Sequence, residues 1–320
     1  MCEEGAGAHK LVIELVHLRK EYDNVLGVDD LSLTIPPQEI FGLIGPNGAG
    51  KTTTIRMTCG LLAPTLGQAL VAGVDLAREP ERAQQHIGYL SDFFAVYEDL
   101  KVWEYLDYFA HAYKLPESEI PARVTEVIAE VNLEVKRDAM IRGLSRGMKQ
   151  RLGIARAIIH RPKVLLLDEP ASGLDPKARL ELRNLLLALR DQGATILISS
   201  HILTELEGFC TSIGIMEKGR MVRSGRIDEV TAAETPARLV RLTWAGDSLA
   251  AVQACLQKDP RIAEVKLEAG SGAFRFTGAE EDLAPVLASL IAASVKVTSF
   301  AEMKQTVEEL YMKLSTHEVM

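Results

Sequence analysis

The sequence predicts an α/β protein with a mixed, mainly parallel sheet, followed by a small α+β domain of ferredoxin-like order. Three observations carry this. Short, near-continuous apolar or β-branched runs recur at Ile40–Ile44, Val164–Leu167 and residues 195–199, as expected of strands covered on both faces. Residues 178–190 place leucines at 180, 182, 185, 186 and 189, read as a helical stripe. Beyond residue 230 the pattern changes to βαββαβ, a split βαβ arrangement.

Each element follows from its local pattern. The run IFGLI is a strand, and a glycine-rich loop then leads to a helix opening near Lys51. Residues 148–160 form an amphipathic helix, VLLL a buried strand, 178–190 a helix and TILIS a strand. The remainder reads as strand 239–244, helix 248–257, strands 262–267 and 273–277 across a GSG turn, helix 282–292, strand 295–300 and a final helix near 306–314. The small, polar stretch TAAETP at 231–236 is the expected linker. The expected domains are therefore residues 1–230, with a helical subdomain at about 92–160, and residues 231–320.

Composition narrows the functional classes. The 320 residues carry a net charge of -8, which argues against a dedicated nucleic-acid binder. No apolar run reaches the roughly 18 residues of a membrane span. The opening MCEEGAGAHK has no apolar core of an export signal. Cys2, Cys59, Cys210 and Cys255 form no CxxC pair and read as reduced thiols.

Three motifs carry chemistry. GPNGAGKTT, residues 45–53, fits GxxxxGK[ST] between a strand and a helix. Gly45, Gly48 and Gly50 let the backbone of Pro46, Asn47 and Ala49 wrap so that N–H groups face phosphate oxygens. Lys51 is expected to reach the β- and γ-phosphates, and Thr52, beside Thr53, to offer a hydroxyl to Mg²⁺. In VLLLDEP, residues 164–170, a buried strand ends in two acids. Asp168 suits a Mg²⁺ shell and Glu169 the polarisation of a water. LSRGM, Leu144 to Met148, puts Ser145 at a helix N-cap. It is either a plain capped helix or a second anion site. As a second anion site it is redundant within one chain, or it faces another chain's nucleotide.

The set resembles the nucleotide-binding subunit of ATP-binding-cassette transporters, a P-loop NTPase family, over residues 11–230. GPNGAGKTT matches that family's phosphate loop and VLLLDEP its second nucleotide motif. LSRGM (Leu144, Ser145, Arg146, Gly147, Met148) is similar to its LSGGQ signature. ASGLDP supplies Ser172, Gly173, Leu174 and Asp175 as the loop between active sites, and SSH supplies the switch histidine His201. The resemblance implies two cassettes enclosing two ATP molecules with Mg²⁺, each signature facing the other chain's phosphate loop. It implies that Glu169 is a general base, that His201 contacts the γ-phosphate and that Tyr22 stacks on adenine. It also implies a transmembrane permease partner, a second cassette (as a homodimer), no nucleic acid, and a peripheral place at the cytoplasmic face of the cell membrane.

Three positions depart from the family pattern. Arg146 replaces a glycine, Met148 stands where a glutamine is frequent, and Asp92, in IGYLSDFF, stands where a glutamine is usual. Asp92 remains a hard oxygen ligand suited to Mg²⁺. Nine aromatic residues crowd into residues 89–113. Phe93, Phe94 and Tyr97 fall in a loop there and are expected to line a groove for the permease, since interface cores favour aromatic residues. The alternatives fit less well. A cassette ATPase of translation carries two cassettes, a DNA-repair cassette carries a long coiled-coil insertion, and a GTPase carries an NKxD motif absent here. The C-terminal tail resembles accessory tails of bacterial exporter cassettes, and residues 231–320 read as a stability or dimer-contact module.

Overall fold

The computed structural model describes residues 12–23, 25–202, 206, 208–231 and 237–303. The linker residues 232–236, the helix expected near 306–314 and Cys2 lie outside the described residues. The chain divides into two compact units, residues 1–227 and 228–320.

The first unit runs β1 (Ile13–Tyr22), β2 (Val25–Ile35), β3 (Ile40–Ile44), α1 (Lys51–Thr58), β4 (Leu66–Val71), β5 (Val74–Asp75), α2 (Pro80–Gln84) and β6 (Ile87–Leu90). It continues with α3 (Val102–Ala112), α4 (Ile120–Glu130), α5 (Arg146–Ile158), β7 (Val164–Leu167), α6 (Pro176–Asp191), β8 (Thr195–Ser200), β9 (Ser212–Glu217) and β10 (Arg220–Arg226). A short helix, α7 (Ile227–Thr231), follows.

Six strands form a sheet in the order β10-β9-β3-β8-β7-β6. All neighbours are parallel except β10 with β9. β3, β7 and β8 are buried along their whole length, which is why they read as unbroken apolar runs. The register sets Ile44 opposite Ser200, Leu167 opposite Ile198 and Leu90 opposite Leu167. The carboxyl ends of four strands therefore open on one edge, where ligands of open α/β sheets bind.

A second sheet, β2-β1-β4-β5, is wholly antiparallel. It has no counterpart in the sequence reading, because its strands alternate buried and exposed residues, as in Leu31, Leu33 and Ile35 of β2. Its inner face shares a core with the first sheet and α1, through Ile13, Leu18, Leu31, Phe41, Leu43, Ile55, Val164 and Leu197.

Helices α3, α4 and α5 occupy most of residues 102–158. On α6, Pro176 sits in the first turn and the Asp175 side chain accepts from the Ala178 N–H, two strong helix-start signals. Leu182, Leu185, Leu186 and Leu189 are buried, whereas Leu180 is 55% exposed. Leu180 therefore leaves the expected stripe, because it lies off the i, i+3, i+4, i+7 series that the others follow.

The second unit runs β11 (Ala237–Ala245), α8 (Leu249–Leu256), β12 (Ile262–Glu268), β13 (Ser271–Thr277), α9 (Leu283–Ala292) and β14 (Lys296–Met303). Its strands are ordered β12-β13-β11-β14, with every pair antiparallel. Val240, Leu242, Trp244, Phe274 and Phe276 pack against Val252, Leu256, Val286 and Leu290 of the two helices. The turn between β12 and β13 is Ala269–Gly270, with Gly270 at φ 80°. Ser271 and Gly272 belong to the strand.

Candidate nucleotide site

Loop 45–50 leaves β3 and returns directly into α1. Its geometry demands glycine at two points. A Cβ at Gly45 would collide with the Met216 carbonyl oxygen, and one at Gly50 would come within 2.6 Å of the Gly27 carbonyl oxygen at a φ of 101°. Gly50 is also the N-cap of α1 and offers no side chain to the first-turn N–H groups. Those donors are left available to an anion.

The loop walls an open cleft of about 490 Å³. Tyr22, Asn47, Gly48, Ala49, Gly50, Lys51, Thr52, Thr53, Asp92, Glu169, Ser172 and His201 line it, together with Val25, Leu26 and Gly27. Lys51 is buried. Its Nζ donates to the carbonyls of Gly45 at 2.7 Å and Pro46 at 3.2 Å, and lies 3.4 Å from Glu169 Oε1. Thr52 Oγ1 donates to Asp168 Oδ1 at 3.2 Å. Asp168 is buried beneath the cleft at the end of β7. Tyr22, half exposed at the end of β1, holds its hydroxyl 3.5 Å from Thr53 Oγ1.

Glu169 follows Asp168 with φ 49°, a left-handed conformation unusual outside glycine. The bend directs its carboxylate into the cleft, where Oε2 lies 2.7 Å from His201 Nδ1. Ser199 fixes both acids. Its Oγ donates to Asp168 Oδ1 at 2.6 Å and accepts from the Glu169 N–H at 2.9 Å. Sequence reasoning missed this role for Ser199, although a serine ending a buried apolar strand was the available signal. Asp92 stands after β6. Burial, then the negative charges of Asp168 and Glu169, raise its carboxyl above the ordinary carboxylate range, while Arg146 and His201 pull it down.

The residues of LSRGM and most of ASGLDP do not line this cleft. They meet where the N-termini of α5 and α6 lie side by side. Ser145 Oγ accepts from the Met148 N–H at 3.3 Å to cap α5. A Cβ on Gly147 would come 2.9 Å from the Ala178 Cβ, so Gly147 also serves a close approach within its own chain. Leu144 and Leu174 are buried, whereas Ser145 and Arg146 are exposed. Arg146 NH2 donates to the Ser172 carbonyl at 2.8 Å, and the guanidinium covers Gly173.

A phosphate-shaped loop, a hydroxyl paired with a buried aspartate and a glutamate held by a histidine thus converge at the carboxyl ends of β3, β7 and β8. The family model described as ABC transporter matches residues 28–172. The chain is 32% identical to the Nod factor export ATP-binding protein I of Cupriavidus pinatubonensis, over 96% of this chain and 92% of that one. The chain belongs to the ATP-binding proteins of ABC transporters. It is also 37% identical over 69% of its length to the probable multidrug ABC transporter ATP-binding protein YbhF of Escherichia coli, of which it spans 38%. A solved ATP-binding subunit of an ABC transporter superposes with a TM-score of 0.62 at 34% identity, covering 68% of this chain and 91% of that chain. The ABC fold accounts for the parallel sheet and the helices at α3 to α5 of the first unit.

The aromatic loop is divided. Phe93 is 96% exposed and Tyr97 56% exposed. Tyr97 packs edge-on against Tyr108, with centroids 6.0 Å apart. Phe94 is half-buried, with the Arg156 guanidinium 5.8 Å from its ring centroid. Its ring edge occupies the space a Cβ on Gly153 of α5 would need. Phe94 is thus turned partly toward its own chain.

Proposed function

We propose that this protein binds and hydrolyses ATP as the energy-coupling subunit of an exporter, working as a homodimer beneath a transmembrane permease at the cytoplasmic face of the membrane. The observation that carries the reading is the convergence of Lys51, Thr52, Asp168, Glu169 and His201 on one cleft. Among the described residues no helix is long and apolar enough to cross a membrane. The export named in the Nod factor relative supports the direction of transport.

Each residue has a task set by its chemistry. The N–H groups of residues 47–52 and the α1 dipole bind the β- and γ-phosphates. Lys51 exchanges the carbonyls of Gly45 and Pro46 for phosphate oxygens. Among the described residues no three His, Cys, Asp or Glu side chains cluster to hold a metal alone. The Thr52–Asp168 pair, with Asp92 on the same cleft, fits Mg²⁺, which binds through one or two carboxylates plus substrate phosphates. When bound, Mg²⁺ neutralises phosphate charge. Glu169 accepts the proton of the water that attacks the γ-phosphorus, and ADP leaves as the bond to the bridging oxygen breaks. His201 holds Glu169 Oε2 and stands ready to contact the γ-phosphate. Tyr22 offers its ring to adenine.

Ser145 and Gly147 are off this chain's own cleft and at an exposed helix N-terminus, so they serve the nucleotide of the second copy. Ser172, Gly173, Leu174 and Asp175 link the two sites. The 228–320 unit acts as a stability or dimer-contact module. Hydrolysis by the purified full chain with Mg-ATP tests the reading. Lys51→Ala should abolish nucleotide binding. Glu169→Gln should still bind Mg-ATP while turnover falls about a hundredfold or more. Unchanged turnover in Glu169→Gln would remove it as the base.

A further inference from the structure

The phosphate loop is seated on the tip of the hairpin that joins β9 to β10. The Gly219 N–H donates to the Ala49 carbonyl at 3.1 Å, and a Cβ on Gly45 would collide with the Met216 carbonyl oxygen. Two residues of positive φ shape the tip, Lys218 at 48° and Gly219 at 83°, the backbone of a two-residue hairpin turn. On its other side the tip meets β2. The Asp29 N–H donates to the Gly219 carbonyl at 2.8 Å, and a Cβ on Gly219 would come 3.1 Å from the Gly27 carbonyl oxygen. Gly219 therefore bridges β2 and the loop that walls the cleft.

Asp29 is buried and does not line the cleft. Its Oδ2 accepts from Arg220 Nε at 2.9 Å and from NH2 of the same guanidinium, and its Oδ1 accepts from Arg19 NH1 at 3.1 Å. Arg220 opens β10 directly after the turn, and Arg19 belongs to β1. One carboxylate thus ties β1, β2 and β10 together around the hairpin tip. Burying a carboxylate is costly unless it is paired and hydrogen-bonded. Both conditions hold here, and the two-pronged contact with Arg220 fixes direction as well as energy. An apolar residue at position 29 would fill the space without setting the position of Arg220 and the turn before it.

We propose that Asp29 is a positioning residue for nucleotide binding, acting through Arg220 and Gly219 to hold the phosphate loop in its binding shape before ATP arrives. A loop shaped in advance binds more tightly, because apparent affinity falls in proportion to the fraction of chains whose loop is competent. At saturation the bound phosphates hold the loop themselves, so the chemical step changes little. The inference rests on the nucleotide reading of the cleft given above.

The test reads KM and kcat for Mg-ATP hydrolysis by the full chain, and the inhibition constant of magnesium tripolyphosphate, which has the phosphates without the base. Asp29→Asn should raise KM about fivefold with kcat within about twofold, as expected when the competent fraction falls to about a fifth. The tripolyphosphate constant should rise by the same factor. Arg220→Gln changes an exposed side chain and should raise both constants in the same sense even where Asp29→Asn folds poorly. The double variant should be no worse than Asp29→Asn alone, the mark of residues that act as one unit. Val71→Ala, in the core beneath β4, should lower the melting temperature and leave KM unchanged, which separates positioning from stability. The proposal is overturned if Asp29→Asn and Arg220→Gln lower the melting temperature alone, if their effects on KM simply add, or if Val71→Ala raises KM equally. It is also overturned if ATP weakens and tripolyphosphate does not, since Asp29 would then act on the wall at residues 25–27. An unsubstituted chain that neither binds nor hydrolyses Mg-ATP is a separate result that sinks the reading of the cleft itself.

Discussion

At the scale of single residues, His160 shows how packing rather than chemistry can set a titration. Its ring stacks on Tyr113 with centroids 3.8 Å apart, and Nε2 bonds the Ile87 carbonyl at 3.0 Å. Its Nδ1 is buried and has no partner among the described residues, so a second proton there would find no acceptor among them. Burial accordingly lowers the pKa from 6.5 to about 4. The unfolded chain binds the proton first, so this contribution is fully present above the ordinary value and is lost as pH falls toward the folded one. The shift corresponds to about 3 kcal/mol. His160→Phe keeps the stacking and cannot protonate. Its melting temperature should fall less steeply than that of the unsubstituted chain between pH 6.5 and 4, whatever its absolute value. Equal slopes would assign the acid response to other groups.

Residues differ in how plainly the sequence shows them. Lys51, Thr52, Asp168 and Glu169 sit in short contiguous motifs whose geometry is local, so their positions could be read directly. The Glu169–His201 pairing depends on β7 and β8 being parallel neighbours, which no spacing reveals without a fold. Ser199 was hidden inside an apolar strand. The bond from Arg146 to Ser172 crosses α5 and β7, and only the side-by-side start of α5 and α6 makes it.

Elements were legible in proportion to their burial. β3, β7 and β8 are covered on both faces and appear as unbroken runs. β1, β2 and β4 cover the same core with one face, so their signal alternates and is diluted by exposed residues such as Val25, Leu26 and Leu66. The loop after β6 carries the sharpest prediction at this scale. Phe93 and Tyr97 project from it, whereas Phe94 already packs against α5. Exposed aromatic side chains lose apolar surface to water when a partner covers them. Phe93→Ala with Tyr97→Ala should reduce co-purification with a co-expressed permease, and Phe93→Ala alone should leave the melting temperature of the free chain nearly unchanged. Phe94→Ala should lower that melting temperature instead. Full recovery of the permease by the Phe93/Tyr97 variant would move the docking surface elsewhere.

For the molecule as a whole, the βαββαβ unit was readable because each of its strands and helices has its own apolar face, and together they close a small core around Trp244, Phe274 and Phe276. The ATP-binding unit is different, since its family motifs fall in two separate places. The phosphate loop, both acids and His201 assemble at one cleft, while Ser145 and Gly147 do not line it. On the reading proposed above, a completed site takes two copies, and nucleotide would shift the population toward the closed pair by binding it better than the open one. Sedimentation of the full-length Glu169→Gln chain with and without Mg-ATP tests this most directly. The account predicts a monomer without nucleotide and a dimer retaining two ATP molecules with it. A chain that stays monomeric while saturated with Mg-ATP would contradict it.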